Sequence, residues 1–411
     1  MKRPELLSPA GNFEKMKAAI LYGADAVYLA GRRFGMRAAA DNFSLEELAQ
    51  AVEYAHARGV RVYLTVNVMP RENEYPELEE YFVALRDIPI DALIVADIGV
   101  LALARRVLPS TELHISTQAN AVSSASCMAW AALGAKRVVL ARELTLDEIR
   151  AIRSALPDDI EIECFIHGSM CVSYSGRCLL SNHMIGRDAN RGMCAQPCRW
   201  NYKVRRIEVA EEKRPEMPMV IEEVEGESFV MASRDTCTIE HIPQLIEAGI
   251  SSFKIEGRMK SAYYTAVVTN AYRMAIDSYF GGEYSYDPKW RDELESVTHR
   301  EYHTGYYFTD SHKDANLCSE GGYLKEKSYL AVVLDYDPST GLARLAQRNK
   351  MSVGDRVEYI TPGSVGRPLD YTGLYDTELQ PIPDAPHPYM EFFIKTDLPL
   401  SAGDIIRAAN N

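Results

Sequence analysis

Four of the eight cysteines lie close together in this 411-residue chain. Their spacing is Cys171-x6-Cys178-x15-Cys194-x3-Cys198, whereas the other four cysteines occur singly. Clustered thiolates suit a metal centre, and the candidates are a four-cysteine iron–sulfur cluster and a structural zinc. Zinc ligands usually come as two close pairs, and only Cys194 and Cys198 form such a pair. The spacing therefore favours the cluster, with zinc and disulfide-forming thiols as alternatives.

The composition is that of a globular enzyme with two or three domains. The chain is longer than a single core usually grows, and 47% of its residues are hydrophobic and 25% charged. Because no signal segment or long apolar run is present, we expect a cytoplasmic protein without membrane contact. The net charge of -13 argues against binding nucleic acid by overall charge. RNA binding would need a local patch, and the best candidate is residues 199–206 (RWNYKVRR), which alternatively form an outward-facing strand.

Short β-branched runs alternate with amphipathic helical stretches over the first two-thirds of the chain. Strands are predicted at residues 5–8, 26–29, 61–67, 92–96, 112–117, 137–141, 160–166 and 252–256. Helices are predicted at residues 13–22, 45–58, 76–86, 100–108, 124–133, 146–155 and 262–280. This alternation predicts an α/β fold with a parallel sheet, either a (β/α)8 TIM-like barrel or a doubly wound sheet. The count of eight strands and the lack of a Gly-rich dinucleotide turn favour the barrel.

Two departures from this alternation divide the chain. An insertion over residues 167–232 follows the seventh strand and carries the cysteine cluster, and its residues 208–224 are predicted as a surface excursion, such as a hairpin. Near residue 325 the pattern becomes all-β, with short strands entered by Gly-Asp turns. The sequence therefore predicts a barrel domain over residues 1–324 and a small C-terminal β-barrel over residues 325–411.

Polar side chains follow the predicted strands, at the end where a (β/α)8 barrel has its active site. The candidates for catalysis are Asp97, His167, Lys254 and Glu256. The candidates for ligand binding are Arg37, Asn67, Gln118, Arg142 and Arg258. Several cations at one mouth indicate a small anionic ligand, because arginine binds carboxylates with two parallel hydrogen bonds. Structural alternatives remain: Asp97 as a helix cap, Lys254 paired with Glu256, or His167 bound to a backbone carbonyl.

Two longer stretches resemble the signature of the collagenase-like peptidase family U32. They are residues 163–171 (ECFIHGSMC) and 175–181 (SGRCLLS), supported by residues 5–12 (ELLSPAGN), 23–28 (GADAVY), 116–120 (STQAN) and 254–258 (KIEGR). The likeness covers nearly the whole chain. Residues 187–192 (RDANRG) and the run from Cys194 to Trp200 are most similar to the prephenate-dependent tRNA uridine hydroxylases of that family.

The resemblance implies a [4Fe–4S] cluster on Cys171, Cys178, Cys194 and Cys198 and prephenate as co-substrate. It also implies the tRNA anticodon region as partner, with the wobble uridine converted to 5-hydroxyuridine. Relatives hydroxylate ribosomal RNA or act in ubiquinone synthesis, and some take a cluster ligand from elsewhere, which makes Cys237 an alternative to Cys198. A peptidase and a zinc-containing RNA-binding scaffold remain the competing functions, although no protease motif is recognisable in the sequence. The oligomeric state is not readable from the chain.

Overall fold

The computed structural model describes residues 2–36, 41–200, 209–211, 214–219, 233–309, 316, 318, 323–325 and 327–409. The strands up to residue 303 are β1 (Glu5–Pro9), β2 (Ala26–Leu29), β3 (Arg61–Val66), β4 (Ala92–Val95), β5 (Glu112–Ile115), β6 (Arg137–Val139), β7 (Glu161–Ser169), β8 (Val209–Glu211), β9 (Arg214–Met219), β10 (Asp235–Cys237), β11 (Ser252–Ile255) and β12 (Tyr302–His303). The helices are α1 (Phe13–Leu21), α2 (Leu45–His56), α3 (Tyr75–Ala84), α4 (Ile98–Val107), α5 (Ser124–Ala132), α6 (Leu146–Ala155), α7 (Leu180–Ile185), α8 (Ile242–Glu247), α9 (Ala262–Phe280) and α10 (Lys289–Glu295). None of these helices is long and apolar enough to cross a membrane.

Strands β1 to β7 pair in parallel in chain order, and β11 closes the ring by pairing with both β1 and β7. This confirms the predicted (β/α)8 barrel. The helix starts follow from local chemistry: Ser44 and Thr145 form capping boxes with Glu47 and Glu148, which begin α2 and α6. The helices pack their apolar faces on the outside of the barrel, so the carboxyl ends of the strands remain the place for a site.

Strand β7 is longer than predicted and has an additional partner. It continues to Ser169, and β10 pairs with its end in the antiparallel sense, with Asp235 opposite Ser169 and Cys237 opposite His167. The sequence did not predict β10, because three residues between a long insertion and a helix carry little periodicity. The pairing brings the two ends of the insertion side by side. Within the insertion, β8 and β9 form the predicted hairpin.

The C-terminal region is an antiparallel β structure with a core of its own. Its strands are β13 (Tyr329–Asp337), β14 (Leu342–Gln347), β15 (Met351–Ser352), β16 (Val357–Ile360), β17 (Arg367–Leu369), β18 (Thr372–Tyr375), β19 (Pro381–Ile382), β20 (Asp384–Ala385), β21 (Glu391–Lys395) and β22 (Ile405–Ala408). The main sheet has the order β17-β16-β22-β13-β14-β21-β18-β19. Within residues 327–409 its outer strands β17 and β19 are not paired with each other, so this part is a half-barrel.

A buried ion pair fixes the half-barrel on the outside of the first domain. Arg407 of β22 is 2% exposed and donates from Nη1 and Nη2 to the two carboxylate oxygens of Glu293 in α10, at 2.7 and 2.8 Å. The rings of Tyr263 in α9 and Tyr329 in β13 stack beside it, with centroids 5.3 Å apart. Both contacts are made with α9 and α10, two helices on the outside of the barrel.

Candidate functional site

A cavity of about 130 Å³ lies at the carboxyl ends of the barrel strands. Its barrel side is formed by side chains that project from strands and from the turns after them: Tyr28, Thr65, Asn67, Ile94, Ser116, Gln118, Arg142, Phe165, Lys254, Glu256 and Arg258. Its other side is formed by the cysteine-rich insertion: Cys171, Tyr174, Ser175, Gly176, Cys178, Ala189 and Cys194. The insertion therefore covers the barrel mouth.

Three of the four clustered cysteines face this cavity, and the fourth is their electrostatic neighbour. Cys171, Cys178 and Cys194 line it, and all four thiols are free and partly exposed. Burial raises the pKa of the Cys198 thiol and Arg199 opposes that effect, while the charges of Cys171 and Cys194 raise it further. This coupling shows that Cys198 lies within electrostatic range of both sulfurs.

Backbone amides support two of the sulfurs. The N–H of Leu180 donates to Cys178 Sγ at 3.5 Å, and the N–H of Gln196 donates to Cys194 Sγ at 3.4 Å. Hydrogen bonds from backbone amides to cysteine sulfurs are common around cysteine-ligated metal centres. The donor set thus fits a cluster held by four cysteines.

The described residues contain no group of three or more His, Cys, Asp or Glu side chains arranged around a single metal ion. The ligands of a four-iron cluster each bind a different iron, so they do not need to converge on one point. Cys237 is not part of this arrangement. It is buried beside the Tyr272 hydroxyl, which lies 3.9 Å from its Sγ, and it does not line the cavity.

Two arginines on the barrel side are held rigidly. The Arg142 guanidinium lies 3.8 Å above the centre of the Phe165 ring, and its Nη1 donates to the Ser169 carbonyl at 2.6 Å. Its Nη2 is 4.0 Å from a carboxylate oxygen of Glu256. Arg258 is 3% exposed and donates from Nη1 to Thr65 Oγ1 at 2.9 Å. With Lys254 they make three cations against one carboxylate at the cavity wall, which suits an anionic ligand.

Lys254 is held in place by a network of buried ion pairs inside the barrel. Its Nζ donates to Glu163 Oε1 at 2.7 Å, and Glu163 also accepts from Arg137 Nη1 at 3.2 Å. Arg137 in turn donates to Glu5 Oε1 at 2.6 Å. The suggested pairing of Lys254 with Glu256 is therefore replaced by a pair with Glu163, which projects into the barrel from the neighbouring strand β7. Burial would raise the pKa of Glu163, but Lys254 and Arg137 together lower it below the ordinary value.

Neutral polar groups complete the wall. Asn67 is fully engaged, because its Oδ1 accepts from the Met36 N–H at 3.1 Å and its Nδ2 donates to Ser116 Oγ at 3.3 Å. Gln118 is buried, and its Oε1 has no hydrogen-bond partner among the described residues. Gln118 is therefore equipped to accept a hydrogen bond from a ligand. Thr65 and Ser116 also line the cavity but were not among the predicted site residues, although the polar run after β5 was a signal for Ser116.

His167 and Asp97 do not line the cavity. The pairing of β11 with β7 shifts register so that Lys254 lies opposite Phe165 but Ile255 lies opposite His167. This bulge turns the imidazole to the outer face of the barrel, where its Nδ1 and Nε2 lie 3.3 and 3.4 Å from the hydroxyls of Tyr272 and Tyr302.

Burial lowers the pKa of His167 well below its ordinary value, so the ring is neutral. Asp97 caps α4 by accepting from the Val100 N–H at 3.0 Å, which is the structural alternative for this residue. The structure thus does not bring either residue together with the other site candidates. Arg37 and residues 201–206 of the predicted basic patch lie outside the described residues.

Comparisons with known proteins agree with the sequence motifs. Residues 11–317 match Peptidase family U32, and residues 325–407 match the Peptidase family U32 C-terminal domain. The chain is 38% identical over 408 residues to tRNA hydroxylation protein P1 of Bacillus subtilis strain 168, covering 99% of this chain and 95% of that one. It is 35% identical to tRNA hydroxylation protein P of Escherichia coli K12, covering 93% and 92%. It is also 32% identical to a collagenase of Porphyromonas gingivalis W83, covering 87% and 86%. The chain therefore belongs to peptidase family U32.

Proposed function

We propose that this protein is an RNA-modifying enzyme that hydroxylates the wobble uridine of tRNA to 5-hydroxyuridine. In this proposal prephenate is the co-substrate and the four clustered cysteines hold a [4Fe–4S] cluster. The observation that carries it is the meeting of three of these cysteines with two arginines, Arg142 and Arg258, in one cavity. The names of the Bacillus subtilis and Escherichia coli relatives support RNA hydroxylation as the activity.

Arg142 and Arg258 are the residues proposed to bind the organic acid. Prephenate carries two carboxylates, and each arginine presents a guanidinium at the cavity wall that neighbouring groups hold in place. The stacking of Arg142 on Phe165 orients its charge without neutralising it. Lys254 is less suited to the same task, because Glu163 already compensates its charge.

The target uridine has to leave its base stack to reach this cavity. Tyr174 lies at the rim and is 45% exposed, so its ring offers a surface on which a neighbouring base can stack. Gln118 carries an acceptor without a partner among the described residues, which suits the N3–H of a uracil ring.

Ile94, Phe165 and the ring of Tyr28 give the cavity apolar surface, which favours the exclusion of water when a ligand binds. When bound, a [4Fe–4S] cluster supplies electron transfer or binds a reactant at iron. The chain's own residues in this account bind the acid, orient the base and keep water out.

The test is nucleoside mass spectrometry of tRNA from bacteria that lack their own wobble-uridine hydroxylation. We expect 5-hydroxyuridine to return with the wild-type chain and not with Cys171→Ser. The matched control is Cys127→Ala, because Cys127 lies in α5 away from the cavity and should leave the product unchanged.

Soluble wild-type protein without 5-hydroxyuridine would refute the tRNA assignment. Ribosomal RNA and quinone precursors would then be the next substrates to assay. Peptide cleavage that survives Cys171→Ser would instead support the peptidase activity that the family name suggests.

A further inference from the structure

One side chain joins the two ends of the cysteine-rich segment, residues 170–199. Arg199, the residue after Cys198, donates from Nη2 to the carbonyl of Met170 at 3.0 Å. Met170 is the residue before Cys171, so this hydrogen bond joins the two ends of the segment that holds all four clustered cysteines. The same carbonyl accepts from Ser233 Oγ at 2.5 Å, which ties the closure to the returning strand β10.

We propose that Arg199 is a positioning residue for the cysteine centre. It closes residues 170–199 into a ring, and it places a permanent positive charge beside the thiolates. This inference rests on the proposed iron–sulfur function and adds to it a residue that sets both the assembly and the redox potential of the centre.

The surroundings of Arg199 support the closure. The turn that carries it is a 3₁₀ helix over Pro197–Arg199, and the Trp200 indole N–H donates to the Ala195 carbonyl at 3.0 Å. These contacts hold the backbone on both sides of Arg199. Met170, at the other end of the hydrogen bond, is 2% exposed, so little water competes for its carbonyl.

A second arginine strengthens the electrostatic part of the inference. Arg300 is 2% exposed, and its Nη1 donates to the Ser233 carbonyl at 2.8 Å. Both Arg199 and Arg300 are electrostatic neighbours of Cys198. The Asp235 carboxylate lies close to Arg300, because its Oδ2 accepts a hydrogen bond from the Arg300 backbone N–H at 3.2 Å. Two guanidinium groups, those of Arg199 and Arg300, therefore lie on this side of the cysteine centre together with the Asp235 carboxylate.

The consequence for a bound cluster follows from charge. Four thiolates give a cluster of this kind a net negative charge, and one-electron reduction makes it more negative. A nearby guanidinium stabilises the reduced form more than the oxidised form, so it raises the reduction potential. Arginine is suited to this role because it does not lose its proton in proteins.

The experiment compares wild type, Arg199→Gln and Arg199→Lys after anaerobic purification of the full chain. Iron and sulfide per chain and the midpoint potential from an EPR-monitored titration are measured. We expect Arg199→Gln to hold less iron and its remaining clusters to have a more negative potential. Arg199→Lys keeps the charge and should restore the potential toward that of the wild type. Arg177→Gln is the matched control, because Arg177 is an exposed arginine on the same segment and should change neither value.

The outcomes separate this inference from the proposed function. Iron-loaded wild type with an Arg199→Gln variant of unchanged iron content and potential would overturn the inference alone. A loss of iron without any change in potential would overturn the electrostatic role, since a purely structural brace predicts that result. A wild-type chain without iron would refute the proposed cluster and this inference with it.

Discussion

Removing the charge of Glu163 should destabilise the fold strongly, because among the described residues it is the one carboxylate within ion-pair distance of the buried Lys254. Glu163 is fully buried between Lys254 Nζ at 2.7 Å and Arg137 Nη1 at 3.2 Å. In Glu163→Gln, Arg137 keeps its partner Glu5, but Lys254 loses its compensating charge. Leaving a buried charge unpaired costs about 3–5 kcal/mol, so we expect the free energy of unfolding to fall by that amount.

Equilibrium urea denaturation at neutral pH measures this change, and two further variants test its cause. Glu161→Gln removes another partner of Arg137, but that carboxylate is 22% exposed and the expected loss is about 1 kcal/mol or less. Adding Lys254→Met to Glu163→Gln removes the unpaired ammonium and should recover stability relative to Glu163→Gln alone. A double variant no more stable than the single one would refute the reasoning.

The same network predicts a pH dependence. Burial would raise the pKa of Glu163, but Lys254 and Arg137 lower it below the 4.5 of a free glutamate. A group whose pKa is depressed in the folded state contributes stability above its unfolded value, and the contribution is lost as the pH falls through the folded value. The stability difference between wild type and Glu163→Gln should therefore be full above pH 4.5 and shrink at lower pH. A difference that grows on acidification would contradict the assignment.

Three further predictions test the site and the domain contact. Arg142→Ala should weaken prephenate binding by about ten- to a hundredfold in calorimetry, because a charge-assisted hydrogen bond contributes roughly 1.5–3 kcal/mol; unchanged binding would remove Arg142 from the acid site. His167→Phe should retain most of the hydroxylation measured by nucleoside mass spectrometry, because the imidazole faces Tyr272 and not the cavity; complete loss in a folded variant would return His167 to the catalytic candidates. Arg407→Met should lower the free energy of unfolding by about 3–5 kcal/mol by stranding Glu293, and limited proteolysis should then release the half-barrel more readily than from wild type.

The barrel was predictable because its signals are local and repeated. Alternation of β-branched runs with helical periodicity gave all eight barrel strands, and residues 146–155 and 262–280 match α6 and α9 at both ends. Strand β10 was not predicted, because it is defined by its pairing with β7, and three residues carry too little pattern to indicate that tertiary contact. The half-barrel was recognised as all-β, but whether a sheet closes depends on strand pairing that an alternating pattern does not encode.

The site was predictable where side chains alternate regularly between the two faces of a strand. Asn67, Gln118, Arg142, Lys254, Glu256 and Arg258 all reach the cavity because they follow or end barrel strands. His167 was assigned by the same rule, but the bulge in β7 reverses its direction, and a bulge has no clear signal in a single sequence. The partner of Lys254 was missed because Glu163 and Lys254 are far apart in the chain and meet only through the β7–β11 pairing.

The proposed function depends most on the four cysteines acting as one iron–sulfur centre at the cavity. The most direct measurement is iron and sulfide per chain, with Mössbauer spectra, for anaerobically purified wild type and for single alanine variants at Cys171, Cys178, Cys194 and Cys198. Cys237→Ala is the control, since Cys237 is buried among aromatic residues away from the cavity. We predict four irons per chain in the wild type and in Cys237→Ala, and a loss of the cluster in each of the other four variants. Stoichiometric zinc in the wild type, or a cluster that survives Cys198→Ala but not Cys237→Ala, would contradict this prediction.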